Sequence, residues 1–389
     1  MSAITDLWNH TYYKAIRIIT SCVGQWPYQS RTHLIVTRTV TFSILSLQFT
    51  VQVLTAWKYR HHFVAFLECL SFFLLDTMLL IKYINNCYNF KTMAHLLEQV
   101  KDNWKIFPKD NGLHILHANS AFVNKYAFIY MSQLWLSVLT FVAEPFEKKL
   151  IYHFLYPDVH LTKKFPIPIN VPLDVDTWYY YLWAAISLSK IVRITVIGAC
   201  DLLYMIFAEH AHAVFRTLGY VIENLPAYNE SEPIDRSYEY LRSCAALHNR
   251  IINFAERVRD IYLWSYLGVI ILNTFMITLT GVQMVRNYHN TEKLIKFTIN
   301  GTTQLFHLFM QCYAAQRVMD GSLEIKDALS KTKWFNASAK AKKLIPLMMM
   351  RAQNPVVITA GKMFVMNMNL FTVVVKTSGS YLTMLLAME

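Results

Sequence analysis

Apolar residues run along this chain in blocks long enough to cross a bilayer as helices, separated by polar stretches of very unequal length. Seven blocks can be read, over residues 34–56, 63–83, 126–142, 179–207, 261–285, 297–313 and 370–388. The third is short and interrupted by Ser132-Gln133, and the fourth carries Lys190 and Arg193. Lengths near 20 residues favour membrane helices over core helices of a soluble bundle, and they are too long for barrel strands. Backbone polar groups in lipid are satisfied only in helices or closed barrels. The pattern therefore predicts an all-α membrane protein with seven transmembrane helices. Two connections, residues 84–125 and 208–260, are long, polar and themselves helical in pattern. In the second, Phe215, Leu218, Ile222 and Leu225 share one helical face, as do Leu241, Cys244, Leu247 and Ile251. The connection 143–178 contains Pro166, Pro168 and Pro172, which forbid a regular helix there, and ends in the aromatic run Trp178-Tyr179-Tyr180-Tyr181. Such aromatics form an interfacial belt, unless some turn inward to line an apolar pocket.

The last block differs from a plain anchor. The 19 residues from Leu370 to Met388 just span a bilayer core as a helix, and they hold no acid and one base, Lys376. Lys376, Ser380, Thr383 and Ala387 step by four, three and four and so share a side. Val373, Thr377, Met384 and Met388 lie beside that stripe. A polar flank on a membrane helix reads either as a pore lining or as a helix–helix seam. The preceding residues, 356–364, read as the root of this helix.

Charge sets an orientation. With the N-terminus inside, twenty-five of the 37 bases fall on the inner side, counting Lys82 with the loop that follows the second block; nine fall outside, and Lys190, Arg193 and Lys376 lie within spans. That asymmetry predicts a cytoplasmic N-terminus and an external C-terminus. The net charge of +12, in a chain that is 54% hydrophobic, belongs to loops facing anionic lipid and not to a nucleic-acid partner. Residues 1–34 lack the continuous apolar core of a signal peptide. Six cysteines, at 22, 69, 87, 200, 244 and 312, show no close pairing and imply no disulfide framework. Sequons at Asn9, Asn229 and Asn336 fall on the inner side and the one at Asn300 within a span, where none would be used.

Catalytic and metal motifs are absent. No His-Glu-x-x-His, Gly-x-Ser-x-Gly or phosphate-binding glycine loop occurs, so neither an enzyme nor a cofactor is expected. His210 and His212 point to different sides of a helix without a completing acid or thiol, which assigns them solvated or capping roles and no metal. Glu68, Asp76, Lys190 and Arg193 are ionisable groups at membrane depth. They pair internally or snorkel, or they line a water-filled vestibule, and the two readings stand side by side. Met348-Met349-Met350, on a basic segment, suits a methionine-rich packing surface better than a calmodulin site.

Three stretches give the chain a family likeness. Gly24-Gln25-Trp26-Pro27-Tyr28-Gln29 resembles the tryptophan–proline–tyrosine motif before the first helix of insect odorant receptors. Trp334, Lys342, Leu344, Leu347-Met348-Met349, Arg351 and Pro355-Val356-Val357-Ile358-Thr359-Ala360-Gly361-Lys362 resemble the anchor region of that family. Phe371, Val374, Lys376-Thr377-Ser378 and Ser380-Tyr381 resemble its pore helix. Leu382, Phe335 and Ala315 stand where the family usually has phenylalanine, tyrosine and glycine. The likeness covers the whole length and is to a hymenopteran type.

That resemblance implies an odorant-gated, non-selective cation channel of four subunits around a central pore, in the plasma membrane of olfactory sensory neurons. The long insertion of the co-receptor between the fourth and fifth spans is missing, which implies a tuning subunit that assembles with a co-receptor as a heterotetramer. The implied layout is a cytoplasmic segment over 1–33, a six-helix ligand-binding unit over 34–316, cytoplasmic anchor helices over 317–363 and a pore-lining helix over 364–389. Pore positions are Thr377 and Ser380, with Met384 and Met388 at the outer gate. In the family the odorant pocket lies in the outer half, among the second, third, fourth and sixth spans with help from the fifth. Its candidates here are Phe72 and Phe73, Met131 and Trp135, Tyr181 and Leu188, Met276, and Thr303 and Phe306. An apolar box of this kind binds volatile ligands by burial and shape. A gustatory receptor shares fold and gating, but Trp26-Pro27-Tyr28 and Ser380-Tyr381-Leu382 argue against it. A G-protein-coupled receptor would need an outside N-terminus and the Asp-Arg-Tyr and Asn-Pro-x-x-Tyr motifs that this chain lacks. A transporter would need inverted repeats, which are not seen.

Overall fold

Six of the seven apolar blocks lie whole inside longer helices of the structure, a computed structural model that describes residues 7–106, 112–155, 165 and 174–387, and the seventh is helical as far as it is described. In chain order the helices are α1 (Thr11–Cys22), α2 (Arg31–Lys58), α3 (Phe63–Tyr88), α4 (Phe90–Ile106), α5 (Leu113–Leu155), α6 (Val175–Glu223), α7 (Arg236–Arg286), α8 (Thr291–Lys331), α9 (Ala339–Ala352) and α10 (Met368–Ala387). Short polar caps start several of them: Asp235 Oδ1 accepts from Tyr238 N, Asn290 Oδ1 from Lys293 N and Asn367 Oδ1 from Leu370 N. The loop prolines Pro166, Pro168 and Pro172 lie outside the described residues, as does Met388.

Helix α7 has 51 residues, about 76 Å of helix against a hydrocarbon core of about 30 Å. Its first half therefore stands clear of the membrane, together with the second halves of α6 and α8, α4 and α9. Here α6 is the axis. From Val196 to Leu218 almost every side chain is buried, Phe207, Val214, Phe215 and Leu218 completely. A helix apolar all round belongs in the middle of a bundle. Elements α5, α7, α8 and α1 surround it. By length and composition α2, α6, α7 and α10 are apolar enough to cross a membrane. Helix α3 is broken up by Glu68, Asp76 and Lys82.

The tryptophan–proline–tyrosine motif acts as a plug. Trp26 is buried edge-on against Trp8, 5.3 Å between ring centroids, and Gln25 donates to Cys200 Sγ while accepting from Asn86. Tyr83 OH donates to Val23 O at 3.0 Å, tying the segment to α3. Of the methionine run, Met348 is buried and Met350 exposed, so one residue of the three faces the core fully.

Two expectations are corrected. His210 and His212 are buried, not solvated, because α6 is enclosed on all sides. His210 Nε2 meets Asn103 Nδ2 at 3.0 Å, and His212 Nδ1 meets Arg317 O at 2.8 Å. The anchor region is not helical throughout. Thr359–Ala360 (β1) pairs antiparallel with Phe364–Val365 (β2). Gly361 and Lys362 both have positive φ (62° and 60°) and, with Met363, form the three-residue loop between the strands. The turn is sewn to α7: Gly361 N donates to Leu263 O at 2.7 Å, and a Cβ at Gly361 would come within 2.5 Å of Leu267. Only glycine allows that approach.

Candidate functional site

Three helices converge in the membrane half around a buried cavity of about 120 Å³, and α3, α5 and Gln48 of α2 complete its wall. From α7 come Asn273, Met276, Thr280 and Gln283, steps of three and four that define one face. Helix α8 brings Phe297, Asn300, Thr303, Gln304 and His307, and α6 brings Ile186, Lys190, Arg193, Ile194 and Ile197. Phe72 and Met78 of α3 and Leu134 of α5 supply apolar wall.

Of the nine pocket candidates, Phe72, Met276 and Thr303 line this cavity. The others lie elsewhere, and helical phase explains each. Phe73 points back at α2, its ring 5.3 Å from Phe49. Met131 is buried against Gly198, where a Cβ would meet its sulfur at 2.5 Å. Trp135 is more than a third exposed, one residue from the wall residue Leu134. Tyr181 (72% exposed) and Leu188 (56%) face away from the chain, whereas Ile186 and Lys190 face the cavity. Phe306 packs between Tyr130 and Phe309, and its neighbour His307 takes the wall position.

The ionisable groups at depth divide between internal ion pairs and the cavity wall. Arg193 lines the cavity and pairs with Asp76 at 2.6 Å. Lys190 lines the same wall. Glu68 sits nearer the surface, 3.4 Å from Lys293. A second buried cluster has no counterpart in the sequence reading. Lys82 Nζ donates to Asp201 Oδ1 at 2.5 Å and lies 2.6 Å from His307 Nε2. Tyr130 OH donates to Asp201 Oδ2 at 2.5 Å, and Gln311 Nε2 to Oδ1 at 3.1 Å. The signal was present as one acid and one base inside apolar blocks. Lys82, counted above with the inner loop, is buried within α3, which leaves twenty-four inner bases against nine.

Helix α10 packs one face only. Leu370, Val374 and Ser378 are buried, and Leu382 and Leu385 meet a small cluster of Leu67, Leu279 and Val282. The polar stripe lies on the other side: Lys376, Ser380 and Thr383 are exposed, as are Val373 and Met384, with Thr377 intermediate. The packed face rests on α7 through hydroxyls. Thr278 Oγ1 donates to Ser378 O at 3.3 Å, and Ser378 Oγ donates to Thr274 O at 3.2 Å. One turn on, Gly281 lets Leu382 approach to 3.0 Å from where a Cβ would sit. Helix α7 thus carries the cavity on one face and α10 on another.

With this geometry in place, similarity to known proteins can be weighed. The family model described as 7tm Odorant receptor matches residues 62–379. Odorant receptor 82a of Drosophila melanogaster is 26% identical over 229 residues, 58% of this chain and 58% of that protein. Odorant receptor 63a of the same fly is 24% identical over 267 residues, 66% of this chain and 62% of its own, so the chain spans somewhat under two thirds of these two relatives. Odorant receptor 9a is matched more fully, at 21% identity over 89% of this chain and 87% of that one. The insect olfactory receptor OR5 from Machilis hrabei, solved in complex with eugenol, has the same fold: TM-score 0.81 at 15% identity, covering 97% of each chain. Seven of the ten helices described above are thereby the transmembrane helices of an all-α membrane protein. The family match extends over most of the length, from the start of α3 to the middle of α10, and the chain belongs to the insect odorant receptor family.

Proposed function

We propose that this chain is the tuning subunit of an odorant-gated cation channel, taking a volatile ligand into the cavity of about 120 Å³ and lining a central pore with the exposed face of α10. It works with a co-receptor in a heterotetramer, in the plasma membrane of olfactory sensory neurons, and the hymenopteran resemblance assigns it to that group of insects. The observation that carries this reading is the position of α7. Asn273, Met276, Thr280 and Gln283 face the cavity, while Thr274, Thr278 and Gly281 on the same helix hold Ser378 and Leu382 of α10. A rigid helix cannot move one face without the other.

The root of α10 is held more firmly than its far half. Met366 N donates to Ile358 O at 2.8 Å, Met368 N to Gln316 Oε1 at 3.3 Å, and Val356 N to Ser322 Oγ at 3.0 Å. Beyond Ser378 the contacts with α7 are leucine side chains, which slide at little cost. Ligand that binds the open arrangement more tightly shifts the population toward it, with α10 turning about Ser378. Met384 and Met388 are the gate residues in this mechanism, and Thr377 and Ser380 line the path below them. A relative captured with eugenol supports a small organic ligand.

Co-expression with an odorant co-receptor in oocytes, under an odorant panel, tests the proposal. Ligand-evoked cation current is expected, reduced in amplitude by Met384→Trp and altered in selectivity by Met384→Glu. Current indifferent to both substitutions would remove Met384 from the gate. Epitope tags on intact cells test the topology: an external N-terminus would overturn the channel orientation.

A further inference from the structure

The cavity wall is more polar than an apolar box, and most of its polar atoms are engaged with one another. Gln283 Nε2 donates to Leu67 O and to Ser71 Oγ, both at 3.1 Å. Thr280 Oγ1 donates to Gln304 Oε1 at 3.2 Å, Thr303 accepts from Gln133 Nε2 at 3.2 Å, and Ser189 donates to Gln48 Oε1 at 3.3 Å. Two wall residues differ: Arg193, which pairs with Asp76 but whose Nε has no hydrogen-bond partner, and Asn273. The asparagine is 0% exposed, stands on the cavity wall, and neither its amide nitrogen nor its amide oxygen has a protein partner. An amide left so is completed by whatever enters beside it, since buried polar groups are otherwise almost always hydrogen-bonded. The terminal torsion of asparagine is broad, so the amide can turn into the cavity without leaving its rotamer.

We propose that Asn273 is the polar anchor of this cavity, and that the cavity selects small alcohols. The inference rests on the reading of the cavity as the ligand site. A hydroxyl both donates and accepts, so it meets the amide oxygen and the amide N–H together. A carbonyl satisfies the N–H alone, and a hydrocarbon satisfies neither. Lys190 and Arg193, the latter paired with Asp76, stand on the wall and argue against a cationic ligand without separating alcohols from ketones. Size narrows the class. An apolar cavity of about 150 Å³ accommodates benzene, so the smaller volume here holds no more than a single small ring, and a substituted ring enters only as flexible wall side chains such as Met276 give way.

The matched probes are cyclohexanol, cyclohexanone and methylcyclohexane, equal in non-hydrogen atoms and near in shape. Their binding is followed by thermal shift of the purified full chain at equal vapour activity. Wild type is expected to favour cyclohexanol over methylcyclohexane by about tenfold, the cost of leaving one buried polar group unpaired, with cyclohexanone between. Asn273→Leu is expected to raise the thermal midpoint and to remove most of that preference. Asn273→Ser, which keeps a hydroxyl, retains part of it. Met276→Trp, which fills the cavity, is expected to abolish binding of all three. If Met276→Trp leaves cyclohexanol binding unchanged, the cavity reading itself falls. If Met276→Trp abolishes binding while Asn273→Leu keeps the preference, the cavity stands and Asn273 is not its anchor. Failure of cyclohexanol to bind wild type, or no preference over methylcyclohexane, overturns the ligand class.

Discussion

Breaking the Lys82–Asp201 pair one side at a time gives unequal losses. The two are joined at 2.5 Å between α3 and α6 and are almost wholly shielded from solvent. At an effective dielectric of about 20 the attraction at that distance is worth roughly 6–7 kcal/mol. Lys82→Met leaves Asp201 with Tyr130 at 2.5 Å, Gln311 at 3.1 Å and His307 at 3.1 Å, so its charge keeps three polar neighbours. The loss is then at the lower end of the range for a broken buried pair, about 3 kcal/mol. Asp201→Leu leaves the lysine against one imidazole nitrogen at 2.6 Å, and the loss rises to about 5 kcal/mol. The double variant strands only the neutral Tyr130 hydroxyl, at about 1 kcal/mol, since Gln311 Nε2 keeps His307 Nε2 at 2.9 Å. Singles of about 3 and 5 against a double of about 1 give a coupling of about 7 kcal/mol, close to the Coulomb figure. Fluorescence-detected size-exclusion after graded heating reads all four proteins in parallel. Additive losses, with the double variant the least stable, would refute the ion pair as the source of the stability.

Two further outcomes follow from residues away from the cavity. Gly361→Ala is expected to cost about 1–2 kcal/mol for the left-handed backbone alone, plus the displacement of Leu267, and to lower the thermal midpoint without changing the rank order of odorants. In the half of α6 that projects from the membrane, burial with the nearby Arg250 charge holds His210 down to about 3, and burial with Arg317 holds His212 down to about 3. The unfolded chain therefore takes up protons first. Stability from these two groups is full above their unfolded value near 6.5 and is lost as pH falls toward 3, by about 1 kcal/mol each between pH 7 and 5.5. Thermal midpoints over that interval should flatten in His210→Gln and in His212→Asn.

The long elements were legible because length and apolarity alone mark a membrane helix, and each block, as far as it is described, is helical in the structure. Which side of each helix faces inward was not. In lipid both sides are apolar, so no contrast in hydrophobicity tells the core from the bilayer. This is why Phe73 was taken together with Phe72, Trp135 in place of Leu134, and Leu188 in place of Ile186. Where polarity does differ between sides, the sides separate in the structure, as for the exposed stripe Lys376, Ser380 and Thr383 opposite the packed face. The hairpin was hidden by its two-residue strands, although the β-branched run Val356-Val357-Ile358-Thr359 before Gly361 was a signal for it. The cluster of Lys82, Asp201 and His307 joins residues far apart in sequence, and nothing local pairs them.

Apolar helices in lipid have no hydrophobic force to fix their register and can slide past one another. Helices α3 and α6 carry two rungs that prevent this. Asp76 pairs with Arg193 and Lys82 with Asp201, so the numbering rises together and the helices run parallel. The order of charge is opposite on the two helices, acid then base on α3 and base then acid on α6. A slip of one rung would set Asp76 against Asp201 or Lys82 against Arg193, like charges in a medium that screens them poorly. The correct register is the only one in which both rungs close. The cavity extends from before the first rung, where Phe72 and Ile186 line it, toward the second: Arg193 of the first rung is in its wall, and so is His307, which touches Lys82 of the second. Selection by shape requires that Ile186, Ile194 and Phe72 keep their places relative to one another to within a fraction of an ångström. The buried charges, costly in themselves, hold those apolar residues in place.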